Sequence, residues 1–141
     1  MDAGGSLLSL YFDGVTVPAT YLPHAADYTV VDIVQLPAEV SVIAAAATAA
    51  QATGGGTDQQ WLIAAALLGR VITNSSWRCS EVEYSHWMMP TYDSSWWLPA
   101  AIKNVSATPQ QLALISSTAA VGIWSQNAAA NTVYCRLDIS E

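Results

Sequence analysis

Trp77, Tyr84, Trp87, Tyr92, Trp96 and Trp97 crowd one short segment of a chain that has only four basic residues in 141. Each large ring removes about 150–250 Å² from water when buried, while its indole or phenol end still needs a polar partner. A stretch this rich in amphipathic rings and this poor in charge is costly to leave solvated. It suits a surface that docks onto another surface better than it suits a reaction centre.

The length fits a single domain over 1–141, able to bury roughly two-thirds of the surface its unfolded form exposes. Hydrophobic residues make up 52% and charged residues 11%, against about 25% charged in ordinary globular chains. That composition excludes intrinsic disorder. A weakly charged surface also leaves a free monomer short of solubility, which points to life among partners. The net charge is −7, and Arg70, Arg78, Lys103 and Arg136 are the only cations. Four scattered cations cannot neutralise a run of phosphates, so no nucleic-acid partner is expected. An anionic membrane surface would repel the chain as well.

Met1-Asp2-Ala3-Gly4-Gly5 has no basic stretch leading into an apolar core, and the most apolar runs (40–50 and 61–72) fall short of the ~20 residues needed to span a bilayer. The expectation is a soluble chain made in the cytoplasm. Cys79 and Cys135 are then expected to be two buried thiols rather than a disulfide. Asn74-Ser75-Ser76 and Asn104-Val105-Ser106 match the glycosylation acceptor pattern, which carries meaning only in the secretory pathway.

The patterning predicts an α+β fold: a small mixed or antiparallel sheet packed with about three alanine-rich helices. Asp13-Gly14 between two apolar runs predicts a hairpin, because both central positions of its turn need positive φ. Pro18 removes a ladder donor, so the second arm is an edge strand or ends there. The β-branched run 28–35 reads as a third strand. Over 132–139, Val133, Cys135, Leu137 and Ile139 alternate with Thr132, Tyr134, Arg136 and Asp138, a clear period of two. Helices are expected over 37–53, opened by Pro37 and Glu39 and closed by Gly54-Gly55-Gly56. Capping signals at Thr57 and Thr108 predict two more over 57–72 and 108–124. Residues 80–87 read as a further strand and 88–99 as an ordered loop.

Catalytic and cofactor motifs are weak. His86 beside Cys79, with Glu81 or Glu83 as orienter, could form a nucleophile pair. A strand over 80–87 would place His86 on the face opposite both carboxylates, which breaks the required geometry. His24 lies in a turn-like stretch where Asp27 could pair with it. The two histidines and two cysteines have no metal-ligand spacing, so no metal and no cofactor are expected. The triple glycine lacks the following Lys-Ser/Thr of a phosphate loop and reads as a helix–helix turn. Trp96-Trp97 with Tyr92 and Asp93 could stack on a sugar, although adjacent tryptophans on an extended segment point in opposite directions.

The expected function is therefore a non-enzymatic structural subunit of a multi-copy assembly, a viral or phage capsid or virion protein. Its partners are other protein subunits, contacted through Trp87, Tyr92, Trp96, Trp97 and Trp124. An accessory binding module, with carbohydrate as one ligand, is the alternative, and a small cysteine-dependent enzyme is the third.

Overall fold

Asp13 and Gly14 do take positive φ, 53° and 81°, and between them they fold Ser6–Phe12 (β2) back onto Val15–Thr16 (β3). The computed structural model describes residues 2–3, 6–23, 25, 32, 34–37, 39–49, 62–63, 65–66, 71–103, 120–127 and 129–139. Asp13 also pins the turn to the neighbouring strand: its Oδ1 accepts hydrogen bonds from Ser41 N, Ser41 Oγ and Val42 N, each at 2.8 Å. Desolvation pushes the Asp13 carboxyl pKa up, but these hydrogen bonds outweigh it and hold the group below its ordinary value. Gly14 packs against Met89, so a Cβ there would overlap the Met89 sulfur. Gly14→Ala combines that overlap with a left-handed backbone and is expected to cost about 1–3 kcal/mol, read as a lower urea midpoint.

The hairpin is one side of a five-stranded antiparallel sheet ordered β3-β2-β4-β11-β8, where β4 is Val42–Thr48, β8 is Arg78–Ser80 and β11 is Thr132–Asp138. A second antiparallel sheet is ordered β1-β5-β10-β9, from Asp2–Ala3 (β1), Leu62–Ile63 (β5), Ala101–Lys103 (β9) and Gly122–Trp124 (β10). Ala65–Ala66 (β6) and Val71–Ile72 (β7) form a separate two-stranded ladder. Leu62, Ile123 and Trp124 of the second sheet share one core with Leu7, Leu10, Ala45 and Val133 of the first. Two sheets closing on one core make a β-sandwich. A bulge at Leu8 keeps Leu7 and Leu10 on the same inner face despite their odd spacing.

The α+β expectation is overturned. Among the described residues the only helical element is a single 3-10 turn at Ala19–Tyr21, and no helix packs on a sheet. Of the helix expected over 37–53, residues 38 and 50–53 lie outside the described residues, and 42–48 form β4, the central strand, whose Ala44 and Ala46 face one way and Ile43, Ala45 and Ala47 the other. Both faces are buried at close approach, and that tertiary demand overrides the helix preference of alanine. Of the helix expected over 57–72, residues 57–61, 64 and 67–70 lie outside the described residues, and β5, β6 and β7 occupy the rest. Of that expected over 108–124, residues 108–119 lie outside them and β10 ends the span as strand. In the strand expected over 28–35, residues 28–31 and 33 are outside, and Asp32, Val34 and Gln35 are not in strand. The C-terminal strand is present with the expected alternation.

The two cysteines also depart from expectation. Cys135 pairs directly across from Cys79 in the β11–β8 register, and they form a disulfide with Cα atoms 4.1 Å apart. Facing cysteines on adjacent antiparallel strands sit within bonding reach, which sequence spacing alone does not reveal.

Candidate functional site

The outer face of the five-stranded sheet carries Tyr11, Ala44, Ala46, Tyr134 and Arg136, and residues 81–98 fold over it as a cap. The expected strand over 80–87 stops at Ser80, because the chain then enters a series of turns. Trp87 N donates to Tyr84 O, Met89 N to His86 O, Tyr92 N to Met89 O and Trp97 N to Ser94 O. His86 adopts a left-handed φ of 62°, which turns the chain inward ahead of Trp87. Asp93 accepts from Ser95 N at 2.9 Å, and the Ser95 hydroxyl and amide together lower its carboxyl pKa.

Trp87 and Trp97 pack with Ala44 and Ala46 in one buried cluster, their rings stacked with centroids 6.5 Å apart and 21° between their planes. Small side chains beneath permit this approach; larger ones would lift the rings off the sheet. Tyr11 and Tyr134 meet Trp87 edge-on at 5.6 and 5.3 Å. Such pairs each add about 0.5–1.5 kcal/mol beyond area burial. Burial, with the Glu83 carboxylate second, raises the Tyr134 phenol pKa.

Two arginines fasten the cap to the sheet. Arg136, fully buried on β11, donates from Nη1 to Trp87 O at 2.7 Å and Met89 O at 3.1 Å, and pairs from Nη2 with Asp138 at 2.5 Å. Its guanidinium also lies 5.6 Å from the Tyr92 ring centroid, within cation–π range. Asp138 in turn accepts from Ser94 Oγ at 3.2 Å. Arg78 on β8 donates to Trp97 O at 2.5 Å.

The expected contact residues are thus divided. Trp87 and Trp97 are buried in the cap, Trp97 at 3% exposure, and Tyr92 is half-buried with its hydroxyl accepting from Trp97 Nε1. Trp124 is elsewhere, buried between the sheets with Nε1 donating to Ala130 O. Trp96 alone of these projects into solvent, 57% exposed, nearly perpendicular to Trp97 and edge-on to Tyr84. Adjacent tryptophans do point in opposite directions. Leu98, 61% exposed, and Val82 lie at the same sheet edge: Leu98 O accepts from Cys79 N, and Val82 is tied to Ser80 Oγ. Glu81, Glu83 and Asp93 give the outside of the cap an acidic character.

The sequence reading missed Arg78 and Arg136 as anchors. The available signal was Arg136 alternating with Tyr134 on the strand face opposite Val133 and Cys135. The Cys79–His86 pairing is not assembled, since the Cys79 sulfur is bonded to Cys135 and His86 is exposed on the cap. His24 and the triple glycine lie outside the described residues. Among the described residues, no cluster of three or more His, Cys, Asp or Glu could hold a metal ion, and no helix is long and apolar enough to cross a membrane. Comparisons with protein-family models, curated proteins and solved structures found no match to this chain.

Proposed function

We propose that this protein is a non-enzymatic structural subunit of a multi-copy assembly, a viral or phage particle, that docks onto neighbouring protein subunits through the Trp96 edge of its aromatic cap. The observation that carries the reading is the exposed Trp96 indole, held on a cap that two arginines fix to the sheet. A large ring presented on a rigid base loses little side-chain freedom on docking, and such anchors concentrate interface energy. Leu98 and Val82 widen the apolar surface at that edge. The low charged content of the chain supports the same reading. The disulfide supports a particle-borne location, since virion surfaces are among the places where such bonds persist.

The contact is heterologous. Two copies meeting cap to cap would oppose Glu81, Glu83 and Asp93 with their own likenesses, whereas a different patch of the neighbour avoids that repulsion. Trp96→Ala is expected to weaken association by about 2 kcal/mol or more. Light scattering at micromolar concentration should show the native chain as a multimer, alone or with its neighbouring subunit, and the variant shifted to monomer with unchanged far-UV circular dichroism. A Trp96→Ala variant that assembles like the native chain overturns the reading.

A further inference from the structure

We infer that the opposite edge of the five-stranded sheet, at β3, is a docking groove for an extended, apolar, lysine- or arginine-bearing segment of a partner polypeptide. The two edges of this sheet are not alike. Beside β8 the chain closes its own edge: Cys79 N donates to Leu98 O, Ala100 N donates to Trp77 O, and Pro99 bridges to Arg78. At β3 no strand among the described residues does the same.

The hairpin register decides which backbone groups face outward there. Phe12 pairs with Val15, and Val17 N donates to Leu10 O, so these are the hydrogen-bonded positions of the ladder. Thr16, opposite Tyr11 between them, therefore turns its N–H and C=O away from β2. An outward amide pair on an edge strand is the attachment point for an added strand.

Beside it lies an open groove of about 820 Å³. Val17, Tyr21, Val34 and Val40 supply an apolar wall, and Asp13 and Glu39 supply the charge. Among the described residues no lysine or arginine lines it. Arg78 and Arg136 are committed to the cap on the same sheet. Apolar side chains of an added strand would enter the groove while its cations met the two carboxylates, and an acidic segment would be repelled. One outward amide pair is a short ladder, so groove and charge must supply most of the affinity. The inference goes beyond the assembly reading and does not depend on it, since the Trp96 edge is at the other side of the sheet.

The test uses the full chain and two capped hexapeptides, Lys-Val-Lys-Val-Lys-Val and Glu-Val-Glu-Val-Glu-Val, followed by amide chemical shifts in solution. The lysine peptide is expected to shift Thr16, Tyr21 and Val34 and to bind at least about tenfold more tightly than the glutamate peptide at low salt. Thr16→Pro removes only the outward donor, a substitution edge strands accept, and should weaken the lysine peptide about tenfold. Glu39→Lys, at an exposed position that leaves the fold alone, should erase the preference between the two peptides. Absence of shifts at these residues, equal binding of both peptides to the native chain, or undiminished binding to Thr16→Pro overturns the inference. So does a groove that responds to decanoate and to neither peptide.

Discussion

Arg136→Met is expected to destabilise the protein by about 3 kcal/mol and to free the aromatic cap before the sandwich itself unfolds. The guanidinium donates to the carbonyls of Trp87 and Met89 and pairs with Asp138 from a site without solvent exposure. Hydrogen bonds from a charged donor contribute about 1.5–3 kcal/mol each, and losing this donor leaves two carbonyls to find other partners. Two effects keep the total near the lower end of their sum. Methionine retains much of the volume, so little cavity forms, and the cost of desolvating the cation disappears with it. Asp138 is half exposed and can return to water.

The pattern of the loss is as informative as its size. Near-UV circular dichroism reports the packed tryptophans, the Trp87–Trp97 stack of the cap together with Trp77 and Trp124 of the core, and far-UV reports the strands. In the native chain the two should melt together in urea. In Arg136→Met the near-UV signal should fall first. Arg78→Met is expected to do less, because Arg78 is half-buried and holds one carbonyl, that of Trp97. If Arg136→Met changes stability by less than about 0.5 kcal/mol with coincident signals, the cap is held by its ring contacts and not by the arginine.

The parts of this fold that could be read from sequence are those whose cause is local. Asp13-Gly14 specifies its own turn, and the alternation from Val133 to Asp138 specifies a strand with two unlike faces. β4 failed for the converse reason. Its alanines carry no period, because Ala45 and Ala47 meet the inter-sheet core while Ala44 and Ala46 meet Trp87 and Trp97, roughly forty to fifty residues later in the chain. Pro37 and Glu39 gave a genuine helix-start pattern, but propensity is a weak preference that a doubly buried central position overrides. The aromatic segment was legible as a cluster and not as a cap. Which rings turn inward depends on where Arg78 and Arg136 stand, and both arginines belong to strands outside the segment.

Removing the disulfide by the double substitution Cys79→Ala and Cys135→Ala is expected to cost about 2–4 kcal/mol. The bond joins residues 56 apart, and the chain-entropy relation gives about 4 kcal/mol for a loop of that size. Structure remaining in the unfolded chain reduces the realised amount, hence the range. The position of the bond adds a second consequence. It ties β8 to β11, the two strands that carry Arg78 and Arg136, so both anchors of the cap depend on that pairing. The bond itself is buried, with both cysteines almost without exposure, so a thiol reductant can reach it only through opening of the fold. Dithiothreitol alone should therefore reduce the native protein slowly, at a rate that rises steeply with urea. Equilibrium urea unfolding with and without reductant should give the same loss for the native chain as the double variant shows without it. Fast reduction in the absence of denaturant, or an alanine variant as stable as the oxidised chain, would show that β8 and β11 hold their register without the bond.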